Sequence, residues 1–382
     1  MTHKYFKSLQ ILRALAFLSI FFFHVTVLDD TFSRWSITVF LMLSGFLNAL
    51  HGYEKDIKAD VRSSWKYATR KIKKLYPLHL VMLVVALGLY MYSFRTEIMQ
   101  NFKSRTVTES LKILSNIFLV SDWGPKSGWW YNVFSEYNIV TWYLSLSLLL
   151  FILTPLFMGL MHRLYDNKSS NYFWSRPIIV SLVIYLVTIV INLTLVKELG
   201  PSEAFLYTYE SPISRIGDYL IALQLGYIYL HSQHGKDIKE NSKLAVTAVV
   251  LSILVSCAFI YLGTSVLSGD NKWIVSTGFY FTIPTAILIY FLAKTEDKIS
   301  KLLDSGKAIK AVTEKVLYLG TISQYAFLIH VPVINLVHGV YSKVGDVNIW
   351  VWSVIAFGIT MIGSWLVEKR RRKEQENEDT RL

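Results

Sequence analysis

Cysteine is all but missing from this chain of 382 residues. The one thiol, Cys257, lies inside an apolar run, which excludes a disulfide framework and a cysteine-based metal site. No Walker phosphate loop, dinucleotide glycine pattern or His-Glu-x-x-His pair occurs, so no metal is expected. Charge is scarce as well, at 17% of residues. Neither end carries a stretch that reads as a soluble domain. The largest polar segment, about residues 95–139, is too short for an independent catalytic domain but long enough for a lid or part of a site.

What fills the chain instead is apolar. Hydrophobic residues make up 53% and aromatics 15%, with a mean hydropathy of +0.39. That is too apolar for a soluble domain of this size, and the apolar residues gather into long runs. The reading is an all-α, polytopic membrane protein of about ten transmembrane helices, at 9–28, 36–53, 75–94, 140–161, 177–196, 213–231, 244–262, 273–293, 318–339 and 348–367. The first run has no small-residue cleavage site and reads as a retained span. The stretch 108–120 is too short to cross and reads as interfacial or re-entrant. Lysine and arginine gather on one side: Lys4 and Lys7, eight between the second and third spans, and six in the tail. The positive-inside rule then puts both termini in the cytoplasm. The net charge of +12 is explained by anionic membrane lipid at the span ends, and no nucleic-acid partner is expected.

A few polar residues stand out in this background. His24 lies deep in the first run, eleven positions after Arg13. At about 100° per residue their side chains fall within roughly 20° of each other, about 16 Å apart along the axis. Ionisable groups in a span are costly and commonly serve function. The plainer alternative is a packing histidine and a snorkelling anchor. Ser44-Gly45 at mid-span allows close approach by a ligand or by a neighbouring helix. Arg70, Lys73 and Lys74, read as one helical face before the third span, suit phosphates or lipid headgroups. The external stretch 121–147 crowds Trp123, Trp129, Trp130, Tyr131, Tyr137, Trp142 and Tyr143 beside Asp122 and Glu136. That composition fits an aromatic belt or a sugar-binding face. Arg215 can pair with Asp218 three positions on. His330, a second intramembrane histidine, stands beside Pro332, which can open a kink.

In this order the pieces resemble the integral-membrane acyltransferase family three, over about residues 5–365. Arg13 and His24 match its Arg-x10-His signature, and Phe40-LMLSG-Phe46 resembles its Phe-Phe-x-Leu-Ser-Gly segment. Arg70 to Pro77 is similar to its basic segment ending in Tyr-Pro, with Lys73 in place of a second arginine. Lys73 keeps the charge but loses the bidentate fork. The helix from Trp142 to Pro155 resembles another of its segments, except that Ser147 stands where many members have glutamate. Ser214 to Gly226 and Tyr325 to Pro332 resemble its later stretches.

The resemblance implies one transmembrane acyltransferase domain over residues 1–368 and a charged cytoplasmic tail over 369–382, in a bacterial cytoplasmic membrane. It further implies O-acyl transfer, of acetyl above all, from cytoplasmic acetyl-CoA as co-substrate to a hydroxyl of a cell-surface carbohydrate. Many relatives carry an external hydrolase-like domain, so this sequence is expected to complete transfer itself or to use a separate extracytoplasmic transferase partner. On that reading His24 is base or acyl relay, and Arg13, Arg70 and Lys73 hold the CoA phosphates. Ser44-Gly45 let the thioester arm pass, while Trp142, Arg215, Glu136 and His330 meet the acceptor. A transporter or flippase of a lipid-linked sugar is the alternative. Against it, the two halves show no convincing internal repeat. Neither the glycan nor the length of the acyl group is fixed by any residue.

Overall fold

The structure, a computed structural model, describes residues 5–52, 58–100, 102–165, 175–234, 242–267, 269–343 and 348–379. Lys4 and the last three residues of the tail lie outside the described residues. Among those described, the regular structure is helical throughout. α1 (Lys7–His24) starts where the Glu296 carboxylate takes the free N–H groups of Lys7 and Ser8, at 2.8 and 3.1 Å. A carboxylate at that end also complements the helix dipole. α2 (Asp30–Gly52) begins behind Asp29, which accepts the Thr31 N–H at 2.9 Å. α3 (Val61–Ile72) begins behind Asp60, which accepts the Ser63 N–H at 2.9 Å. α4 (Tyr76–Ser93) has Pro77 in its first turn, where a missing N–H costs nothing. The polar α5 (Arg95–Gln100), α6 (Phe102–Ile117) and the short α7 (Gly128–Val133) follow. Then come α8 (Trp142–Tyr165), α9 (Ser175–Tyr209), α10 (Pro212–His234), α11 (Ser242–Ser265), α12 (Trp273–Ser276), α13 (Gly278–Lys294) and α14 (Glu296–Leu303). α15 (Lys307–Tyr341) and α16 (Ile349–Asp379) complete the series.

Eight of the described helices are long and apolar enough to cross a membrane, and α13 with α14, bent by 69°, forms a ninth if counted as one span. α10 has the length but carries Arg215, Asp218 and Gln224. Leucines, isoleucines and valines on α9, α11 and α16 face outward, among them Leu182, Val183, Leu254 and Ile362, as lipid contact requires. The protein is therefore an all-α, multi-pass membrane protein.

The chain divides into two compact units. Unit one comprises Met1–Ala16, Asp29–Thr69 and Leu149–Leu317. Here α2 and α10 approach so closely that a Cβ on Gly45 would lie 2.6 Å from the Tyr219 carbonyl, and one on Gly226 2.6 Å from Ala49 Cβ. Small residues permit this backbone contact. Phe46, Tyr229 and Phe6 pack edge-on around it.

Unit two comprises Phe17–Leu28, Arg70–Leu148 and Tyr318–Leu382. α4 and α6 are joined by polar bonds, Tyr76 to the Ile117 carbonyl at 3.0 Å and His79 Nε2 to the Asn116 carbonyl at 2.9 Å. α15 runs on through Pro332. Proline has no N–H, so the Leu328 carbonyl four residues back loses its helical donor. Asn138 supplies one, its Nδ2 donating to Leu328 at 2.9 Å. That bond docks the segment ahead of α8 onto α15.

Candidate functional site

His24 occupies the last turn of α1. The helix ends there because Thr26 adopts a left-handed conformation (φ 61°), with the Val27 N–H bonded back to Phe22 at 2.9 Å. The imidazole is partly buried, and its nitrogens make no hydrogen bond to the described residues. Its neighbour is His330 of α15, with ring centroids 5.0 Å apart and planes at 61°. His330 is fully buried. Phe17, Phe21 and Phe327 surround it at centroid distances of 6.0, 6.3 and 5.8 Å. Among the described residues no carboxylate is bonded to either imidazole. The two intramembrane histidines singled out in the sequence thus form one pair in an aromatic enclosure.

Two more of the expected acceptor residues belong to the same unit. Trp142 is buried at the start of α8, against Tyr143, whose ring meets Phe327 at 5.4 Å. Glu136 is partly buried in the preceding segment, near the electrostatic reach of Lys112. Lys112 itself lies over Tyr137 at 4.5 Å and Tyr90 at 5.5 Å, and burial lowers its affinity for a proton. Tyr137 is pushed up by burial and by donating to Glu109 at 2.5 Å, which keeps the phenol protonated. Trp123, Trp129, Trp130 and Tyr131 remain exposed.

Arg70 and Lys73 are exposed and make no contact of this kind with the described residues. α3 stops at Ile72, so Lys73 and Lys74 lie in the turn to α4 instead of extending the helical face that carries Arg70. Lys74 Nζ stands 5.5 Å from the Tyr325 ring centroid, and Arg371 of α16 donates to the Tyr325 hydroxyl at 2.9 Å.

The remaining expected residues belong to unit one. Arg13 is partly buried and donates to Gln10 at 3.4 Å. The open face of Gly45 is filled by α10, so the close approach it permits is to a helix. Arg215 is about 1% exposed, held by Asp218 at 3.0 Å and Thr38 at 2.9 Å. Asp218 in turn accepts from Thr282 at 2.5 Å. Arg34, which the sequence did not single out, is nearly as buried. It bonds Asp30, Ser276 and the Lys272 carbonyl and lies under Phe205 and Tyr209. Its signal was present only as a cation beside Asp29-Asp30. Asn138 and His79 were missed as well; the orphaned carbonyl before Pro332 called for a donor without saying which residue gives it.

Among the described residues no group of three or more His, Cys, Asp or Glu side chains could hold a metal ion.

No solved structure matches this chain. It is 23% identical over 368 residues to O-acetyltransferase OatA of Staphylococcus aureus (strain NCTC 8325 / PS 47), covering 92% of this chain and 54% of that protein. It is 23% identical over 362 residues to peptidoglycan O-acetyltransferase OatA of Listeria monocytogenes, covering 91% and 52%. A shorter match, 27% over 141 residues, is to acyltransferase MdmB of Streptomyces mycarofaciens, covering 37% and 31%. The chain spans about half the length of the OatA proteins it matches. The acyltransferase-domain family matches residues 6–369, which takes in α1 with His24, the basic turn, the aromatic segment and α15 with His330. The chain belongs to that acyltransferase family.

Proposed function

We propose that the protein is a membrane O-acetyltransferase that moves acetyl from acetyl-CoA to a hydroxyl of a cell-surface carbohydrate. Peptidoglycan is the first acceptor to test, because one relative of comparable similarity is named for it. The observation that carries the proposal is the His24–His330 pair in its aromatic enclosure. A sugar hydroxyl is a poor nucleophile near neutral pH and needs a base, and imidazole is suited to that work. His24 takes the hydroxyl proton, or takes the acyl group and passes it on. Trp142 and Glu136 present an apolar face and an acceptor to the sugar. Arg70 and Lys73 receive CoA phosphates at the cytoplasmic end of unit two, and Arg13 is the other half of the signature that carries His24. Residues 1–368 act as one acyltransferase domain in a bacterial cytoplasmic membrane, alone or with a separate extracytoplasmic transferase. Gly45 seats α2 on α10 and Arg215 ties α2 to α10, beside the thioester-passing and acceptor roles that the resemblance implies for Ser44-Gly45 and Arg215.

The test compares base-labile ester on the surface glycans of source cells carrying the intact gene, no gene, or His24→Ala at matched membrane levels. Ester lost from one glycan in both altered strains is the expected result and names the acceptor. Ester unchanged in all three, with no acetyl-CoA bound by the purified protein, would favour a transporter.

A further inference from the structure

The backbone around His330 selects one tautomer of its neutral ring. Its Nδ1 faces the carbonyls of Phe327 at 2.8 Å and Ala326 at 3.2 Å. Carbonyls only accept, so Nδ1 carries the proton and donates. In the neutral ring Nε2 is then a lone-pair acceptor, fully buried and without a partner among the described residues. Leaving such a buried acceptor without a donor is costly. The rings around it are Phe17, Phe21 and Phe327, which offer no N–H or O–H. The exception is His24, whose ring centroid is 5.0 Å away at 61°, within the centroid separation of about 5 Å that two imidazoles joined nitrogen to nitrogen require.

We infer that His330 is a positioning residue for His24: its Nε2 accepts a ring N–H of His24 and so fixes the tautomer that presents the other nitrogen, unprotonated, to the acceptor hydroxyl. The inference rests on the reading of His24 as the base. In many hydrolytic triads a carboxylate orients the histidine. Here a neutral imidazole does so without placing a charge among phenylalanines, where an uncompensated charge is costly. The step balances. The hydroxyl proton passes to His24, the hydroxyl oxygen bonds to the acyl carbon, and the carbon–sulfur bond breaks. The departing thiolate takes the proton back from His24. His330 gains and loses none.

The test uses the full chain in membranes of its source cells, supplied with radiolabelled acetyl-CoA, with label counted in the glycan fraction. His330→Phe removes the acceptor and is expected to lower turnover about 10²-fold, leaving the KM for acetyl-CoA unchanged. His330→Gln returns an acceptor oxygen near the position of Nε2 and is expected to restore turnover to within about tenfold of the intact protein. Equal loss in both variants, or a loss carried in KM, overturns the positioning role. Should His330→Phe not accumulate, His330→Met against His330→Gln gives the same comparison with an unbranched apolar chain. A His24→Ala protein that still transfers label would remove the base and this role together. A dead His24→Ala beside a normal His330→Phe would remove this role alone.

Discussion

The two units differ in how they bury the ionisable groups of their helices. In unit one, charge is met by opposite charge or by a ring of donors. Arg215 pairs with Asp218, Arg34 with Asp30, and Lys272 with Asp29 at 2.9 Å and Asp30 at 3.1 Å. Glu296 collects two backbone N–H groups and the hydroxyls of Ser8 and Ser300. In unit two, His24, His330 and His79 lie among aromatic rings or carbonyls, with no carboxylate bonded to them among the described residues. Among the described residues unit two also holds a buried pair, Asp122–Lys126 at 2.7 Å, in the segment ahead of α8. Compensated charge holds helices together and has no capacity left for chemistry. A neutral base with an open nitrogen stabilises little and can take a proton. The comparison teaches which unit to question for catalysis and which for stability.

The largest effect expected is at His24, where alanine should lower transfer by about 10²–10⁴-fold while leaving thermal stability intact. A matched fall in stability and activity would erase the contrast between the units. Next is Asp218→Leu, which strands the buried Arg215 and should cost about 3–5 kcal/mol, read as loss of folded protein in detergent melts. Gly45→Ala should cost about 1–3 kcal/mol, because the added methyl meets backbone that a rotamer change cannot move. Arg70→Ala should raise the KM for acetyl-CoA about tenfold with turnover unchanged, the loss of one charge-assisted contact. The smallest effect belongs to Arg370→Ala. Its exposed pair with Glu374 at 3.0 Å should be worth only about 0.3–0.5 kcal/mol in the same melts.

The helical, membrane-spanning architecture was legible because long apolar runs leave a buried backbone little choice but to bond to itself. α10 shows where that logic thins. It folds as a helix of full length although Arg215, Asp218 and Gln224 interrupt its apolar face, because unit one supplies partners for them. Single residues were legible as costs: His24, His330 and Arg215 are expensive wherever they lie in a span. What each was spent on was not legible. The His24–His330 pair joins opposite ends of the chain, and the Asn138 bond to Leu328 joins a loop to a distant helix. Only packing reveals either. The basic turn was misread by one local detail, the end of α3 at Ile72, which moves Lys73 off the helical face of Arg70.

Gly200 sets a condition on how Arg34 meets salt. Its backbone, at φ 79° and ψ 160°, lies where few residues but glycine are at ease. That turn breaks α9 and aims residues 201–209, so that Phe205 and Tyr209 lie over the Arg34 guanidinium at 5.1 and 5.9 Å. Covered on its face and bonded at its edges, the cation is shielded from mobile ions, and its own contribution to the stability of unit one should change little with ionic strength. Gly200→Ala alters no charge and meets no atom within 4 Å, yet it should re-aim the covering rings. A melt that depends more steeply on sodium chloride in this variant than in the intact protein is the expected outcome; equal slopes would mean that the rings do not shield the cation. An uncharged residue at a helix break would then govern the salt tolerance of a distant arginine.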